Sequence, residues 1–350
     1  MPSPDDRSAS RPGLPPLALS LPLTGAEPGE GIALCREAQG WGYGSVWLSE
    51  VNGPDAFVQL GALAATTDLD LGVAVVPVQT RTAMVLGMAA VTLAQMTGGR
   101  FSLGIGASSE VIVAKWAGQP FDRPLTHVRE MIEALRPILR GERATAVGDY
   151  VRVDGFRAHA TPPAPVPLFV GALNPRSLRQ VGALADGVCL NQVGPAHVPT
   201  LLEHVREGAR EAGRELPPDF PVMARLFCAV TDDVDAARGL VKAVFAPYIA
   251  TSVYDRFYRS LGYGEEADGV AAAAAAGDRA GMAAAVSDRL VDDIFVLGDA
   301  DAVTARIAEY ARSGITIPAV HIMAPGAEAA AAALRDIAAR WTREGVALDR

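Results

Sequence analysis

The run Arg100–Ser109, RFSLGIGASS, carries a strand-like stretch straight into a glycine-rich turn. Paired glycines let backbone N–H groups approach an anion closely, which is the chemistry of phosphate binding. A dinucleotide fingerprint needs a third glycine, and Ser109 stands in that place. Nor does a strand ending in an acid follow about 20 residues later, as a ribose contact would require. A nicotinamide-dinucleotide site is therefore disfavoured. The turn reads either as an anion cradle of another kind or as a tight turn closing a strand.

A second candidate is His321, within AVHIM at 319–323. Alternation from Val320 turns its side chain to the inner face of the last strand, where a histidine binds substrate or shuttles a proton. The alternative is a hydrogen-bonded core histidine. Trp47, Trp116 and the tyrosines from Tyr254 onward either line a pocket or belong to the core. The five histidines form no HExxH and the three cysteines, Cys35, Cys189 and Cys228, no CxxC, so no metal site is expected. So sparse and odd a cysteine count fits reduced thiols and a cytoplasmic protein.

These residues need a scaffold, and the chain supplies a regular one. Short apolar runs at 17–21, 45–48, 70–76, 101–105, 167–170, 187–190, 221–230 and 319–323 predict strands. Between them, segments of helical period are predicted at 31–39, 55–65, 82–96, 125–139, 177–185, 198–212, 234–246 and 301–312, with 328–340 closing the chain. A hairpin is expected at 145–157 around Gly148-Asp149. Eight βα units without a composition break predict a (β/α)8 TIM barrel, with an open doubly wound sheet as the alternative. Residues 251–289 depart from the rhythm: four aromatics precede the alanine run Ala271–Ala276. That segment is either a helical insertion on the outside of the barrel or a lid over its mouth.

Composition narrows the possibilities. Hydrophobic residues make up 50% of the 350 and charged ones 20%, enough for a large core. The formal charge of −9 argues against a nucleic-acid partner, whose binding surface would be basic. The stretch 1–16, with acids and prolines and no long apolar run, is expected to be a disordered leader before one domain at 17–345. No apolar run is long enough to suggest a membrane span.

Three motifs in register carry a resemblance. They are GYGSVWLSEVNGPDAF (42–57), GGRFSLGIGASSEVIVAKWAGQPFDRPLTHVREMIEALRPIL (98–139) and VPLFVGALNPRSLRQVGALADGVCLN (166–191). Together the chain from about 17 to 324 resembles luciferase-like enzymes, and within them the deazaflavin-dependent branch that includes methylene-tetrahydromethanopterin reductases. The resemblance implies coenzyme F420, with FMN as the alternative, a small organic substrate and a homodimer. It also implies hydride transfer at C5 of the deazaflavin. An FMN-dependent monooxygenase and a non-catalytic flavin-binding barrel are the competing implications.

By that resemblance Gly72, Val73 and Ala74 form a bulge against the central ring, with a non-prolyl cis peptide among them. Ala107, Ser108 and Ser109, with Gly171, Ala172, Leu173, Asn174, Arg176 and Ser177, would hold the coenzyme's phosphate and acidic tail. Ala107 departs from the family, where threonine is usual, and so loses a hydroxyl. Glu50 matches a coenzyme-contacting aspartate of the sugar-phosphate dehydrogenases of this branch and is the best general acid–base candidate. Their catalytic histidine is Val51 here, and their sugar-phosphate-binding cations are not recognisable, so sugar-phosphate oxidation is not implied.

Overall fold

A computed structural model describes residues 14–348. The first half runs β1 (Ala18–Leu21), α1 (Pro28–Gly40), β2 (Ser45–Leu48), α2 (Ala56–Thr66), β3 (Asp70–Val73), β4 (Val76–Pro77), α3 (Ala83–Met96) and β5 (Phe101–Gly106). After a π-helical turn at Val111–Trp116 come α4 (Pro124–Leu139), the hairpin β6 (Ala144–Val147) and β7 (Arg152–Phe156), then β8 (Leu168–Gly171) and α5 (Pro175–Leu184). Next are β9 (Gly187–Asn191), α6 (Val198–Glu211), β10 (Val222–Val230) and α7 (Val234–Ile249). Four helices follow: α8 (Ser252–Ser260), α9 (Gly264–Ala275), α10 (Arg279–Ala285) and α11 (Asp288–Ile294). The chain ends with β11 (Val296–Gly298), α12 (Ala300–Arg312), β12 (Ile317–Ile322) and α13 (Ala327–Leu348).

Parallel pairings run β1–β2–β3–β5–β8–β9–β10–β12 and return to β1, closing a barrel of eight strands. Side-chain parity explains the closure. One set of positions, among them Leu19, Leu48, Leu71, Leu103, Val188, Leu226 and Ile322, packs beneath the surrounding helices. The alternate set, Ala18, Trp47, Phe169, Cys189, Met223 and Ala319, forms a separate apolar cluster inside the barrel. Trp47 and Phe169 meet edge to face at 5.0 Å within it. Both faces of the barrel strands are thus largely buried, which is why these strands read as apolar runs.

Two expectations need correction. The third strand was expected to be continuous from Asp70 to Val76 with a cis bond within Gly72–Ala74. Instead it breaks after Val73 and resumes at Val76, and the non-prolyl cis peptide is Ala74–Val75. Of the expected leader, residues 1–13 lie outside the described residues. Leu14–Pro16 already lie against the domain, where Trp341 Nε1 donates to the Pro15 carbonyl at 3.0 Å.

The irregular segment after α7 is built of helices and shares with α7 a second apolar core, which includes Val241, Phe245, Tyr258, Tyr263, Val270, Leu290 and Phe295. Two of its tyrosines bind the end of β9: Asn191 Nδ2 donates to the Tyr254 hydroxyl at 2.7 Å, and the Tyr258 hydroxyl donates to Gln192 Oε1 at 2.7 Å.

Candidate active site at the barrel mouth

The C-terminal ends of the strands converge on a floor made of backbone. At the break in the third strand, Val75 turns inward and its methyls rest where three glycines leave room. A Cβ on Gly106 would lie 2.7 Å from Val75 Cγ2, one on Gly171 3.3 Å from both methyls, and one on Gly104 3.3 Å from Cγ1. On Gly104 it would also lie 1.9 Å from the Val73 carbonyl oxygen. Gly72 serves a different neighbour, since a Cβ there would fall 2.3 Å from the Trp47 ring. The residue at the bulge is therefore Val75, one beyond the expected Gly72–Val73–Ala74. Its signal was the glycines of GIG and GA on the strands that face it.

A polar set stands beside this floor. His321 does face inward, as alternation predicts, and is almost fully buried. Burial, reinforced by the nearby Arg225 charge, holds its pKa well below the usual histidine value. The imidazole is therefore neutral at neutral pH, and its Nδ1 accepts from Arg225 Nη2 at 3.0 Å. Arg225 Nη1 donates to Ser49 Oγ at 3.2 Å. Desolvation lowers the Arg225 pKa to about 10, leaving it charged at neutral pH. Three buried atoms at the ends of the strands have no partner among the described residues: Gln79 Oε1, Asn191 Oδ1 and Arg225 Nε. Polar atoms so placed need a ligand or water to satisfy them.

Glu50 lies just past β2, but its carboxylate is fully engaged. One oxygen pairs with Arg81 Nη1, and the other accepts from Arg81 Nη2 at 2.9 Å and from the Ala56 amide at 3.2 Å. Arg81 also reaches Asp55 at 2.6 Å, the residue that caps α2. In this geometry Glu50 ties the loop after β2 to the start of α2 and to the end of the third strand. Both oxygens would have to be released before it moved a proton.

The anion-cradle residues separate into two kinds. Ser108 has the left-handed φ of 63°, which turns successive N–H groups of the Ala107–Ser109 turn toward one side. The Ala107 carbonyl accepts from Gln79 Nε2 at 3.2 Å, and Ser109 Oγ accepts from the Ile112 amide. At the other edge, Asn174 and Ser177 form a capping box on α5. Ser177 Oγ accepts from the Asn174 amide and donates to its carbonyl, while Asn174 Oδ1 accepts from the Ser177 amide. Helix capping thus engages the Ser177 hydroxyl at the helix start that is expected to hold the coenzyme's tail. Arg176 is exposed on the first turn, with no ion pair among the described residues. Leu173 is half-buried and Ala172 buried beside it.

Other expectations fall away from the mouth. Trp116 is 56% exposed on the π-helical turn, and Tyr263 belongs to the second apolar core. A surface hollow lined by Arg136, Arg140, Asp186 and Arg214 lies at the opposite, N-terminal end of β8 and β9. There Asp186 pairs with Arg136 and Arg214, so the hollow is a structural clamp. Among the described residues no cluster could hold a metal ion, and no helix is long and apolar enough to cross a membrane.

Residues 14–316 match the model of the luciferase-like monooxygenase family. The chain belongs to that family. A Mycobacterium tuberculosis protein named as a coenzyme F420-dependent oxidoreductase is 30% identical to this luciferase-like chain over 326 residues, 87% of this chain and 94% of its own. The 5,10-methylenetetrahydromethanopterin reductase of Methanolobus tindarius is 30% identical over 285 residues, covering 80% of this chain and 86% of its own. Among solved structures, the coenzyme F420 dependent tetrahydromethanopterin reductase from Methanopyrus kandleri superposes with a TM-score of 0.77 at 24% identity. That match covers 93% of this chain and 97% of the other and agrees with the luciferase-like barrel.

Sequence reading missed Ser49, Val75, Gln79, Arg81, Asn191 and Arg225. Arg225 had a readable signal: one charge in the strand VMARLFCAV, on the parity of the inward-facing Met223.

Proposed function

We propose that this luciferase-like protein is a coenzyme F420-dependent oxidoreductase acting on a small organic substrate at the barrel mouth. The observation that carries the reading is the glycine-cradled bulge at Ala74–Val75, at the same end of the barrel as buried polar atoms that lack partners among the described residues. A flat heterocycle with lactam N–H and carbonyl groups suits that surface. The bulge presents small groups to a ring face, while Gln79 Oε1 offers an acceptor to a ring N–H. When bound, the deazaflavin supplies hydride chemistry at C5. The relatives named for F420 support that coenzyme over FMN.

The chain's own residues then divide the remaining work. The Ala107–Ser109 turn and the start of α5, with Arg176, hold the phosphate-bearing tail. Glu50, fixed by Arg81, positions the loop after β2 beside the ring. Tyr254 and Tyr258 hold α8 against the end of β9, making the helical segment a lid that excludes water. His321, neutral and accepting from Arg225, keeps the guanidinium in place. Titrating the protein with F420, FMN and NADPH tests the reading, with clear preference for F420 expected. Tight FMN binding without measurable F420 affinity would overturn it.

The homodimer belongs to the same proposal. On α3, Met84, Met88 and Met96 recur at helical spacing and are 42%, 42% and 48% exposed, beside Val85 and, on neighbouring α2, the 74% exposed Val58. Apolar side chains aligned on one face mark an interface more often than scattered ones do. Light scattering after size exclusion should give a dimer for the wild type and a monomer for Met88→Asp. A monomeric wild type would refute the assignment. Three buried, unpaired thiols accord with the proposed cytoplasmic location.

A further inference from the structure

Strand β10 contains eight apolar residues and one arginine. Arg225 shares the parity of Met223, so its stem enters the barrel and its guanidinium lies at the mouth. No carboxylate pairs with it among the described residues, whereas Arg81, Arg136 and Arg179 all have acidic partners. Only dipoles and rings meet the charge. Ser49 Oγ and His321 Nδ1 accept from its two terminal nitrogens, and its carbon lies 4.8 Å from the centre of the Phe227 ring. The neighbouring Tyr254 hydroxyl is already shared with Asn191, and Nε is orphaned.

A half-buried, desolvated cation without a counter-charge is costly, and an arginine held by neutral acceptors on two sides is preorganised for an oxyanion on the third. The acceptor set matters as much as the charge. Asn191 pairs with Arg225 in the strand register, and its orphaned Oδ1 seeks a hydrogen-bond donor. An ammonium donor would be repelled by the guanidinium, so a hydroxyl fits better.

We propose that Arg225, oriented by Ser49 and His321, anchors the carboxylate of the substrate while Asn191 accepts from a hydroxyl beside it, so that the substrate class is small hydroxy carboxylic acids. This rests on the mouth being the active site of the F420-dependent enzyme proposed above. The same guanidinium chemistry could instead serve an anionic edge of the reduced coenzyme ring, and the experiment separates the two sources.

Calorimetry and thermal-shift measurements would compare lactate and 2-hydroxybutyrate with lactamide, on coenzyme-free and F420-loaded protein. Wild type should bind the acids and not the amide in both states. Arg225→Met should weaken acid binding by about tenfold or more, the size of a lost charge-assisted hydrogen bond, and leave F420 affinity nearly unchanged. Arg225→Lys and Ser49→Ala, which keep the charge but loosen its geometry, should give smaller losses and carry the test if the methionine variant fails to fold. Equal binding of acid and amide overturns the proposal, as does an Arg225→Met protein that binds acids normally. Loss of F420 affinity with acid binding intact assigns the oxyanion to the coenzyme and refutes the substrate class. Acid binding by a wild type that ignores F420 leaves the Arg225 site standing and sinks the coenzyme assignment alone.

Discussion

Gly104→Ala is expected to be among the most damaging single substitutions in the chain, costing about 3 kcal/mol or more. The added methyl would fall 1.9 Å from the Val73 carbonyl oxygen, a backbone atom locked between β3 and the bulge. A flexible side chain could swing away; this oxygen cannot. The neighbouring glycines form an internal scale. Gly106→Ala meets only a Val75 methyl at 2.7 Å and should cost less, and Gly171→Ala, at 3.3 Å from the Val75 methyls, least of all. Denaturant unfolding of the three variants reads the order directly. If Gly104→Ala is no worse than Gly171→Ala, the bulge does not sit where the floor of the site requires it.

The second large effect concerns affinity. Arg176→Ala should raise the KM for F420 by about tenfold and leave kcat nearly unchanged, because a contact to the coenzyme's tail holds ground state and transition state alike. Arg176 stands on the first turn of α5, exposed and without an acidic partner among the described residues, where helix amides and a cation jointly favour an anion. Exposure also makes the effect salt-sensitive, so the difference between wild type and variant should shrink as ionic strength rises. A fall in kcat at constant coenzyme affinity would move Arg176 to the reacting centre. No change in either would leave it a solvated surface cation.

The barrel was legible because its strands are buried on both faces and therefore stand out as apolar runs, each followed by a helix of regular period. Parity within a strand was equally readable where a polar residue marked it, as His321 shows. The break in the third strand was not. Ala74 and Val75 are as apolar as their neighbours, and the evidence for the bulge lies on β5 and β8, distant in sequence and silent until the strands are paired. Residues 251–289 were legible as a helical insertion or lid but not as four separate helices, because small residues dominate α9 and α10, blurring the apolar stripe that periodicity depends on. Asn174 and Ser177 were read for ligand chemistry, and their spacing is also that of the helix cap they form. Arg225 was hidden by its own strand, whose apolar content drew attention away from the single charge.

The helical segment after α7 shares an apolar core with α7 and with Phe227 on β10, and the hydrogen bonds of Tyr254 and Tyr258 fasten it to the end of β9. A region built this way is a cooperative unit in its own right: it can loosen without dissolving the barrel beneath it. Its hydrogen bonds to the end of β9 then act as a clasp. The residues that fasten it, Asn191 and Gln192, are neighbours of those that would meet a ligand, so filling the mouth and fastening the cap become one thermodynamic event. Occupancy would thus be registered as order in helices that touch no ligand.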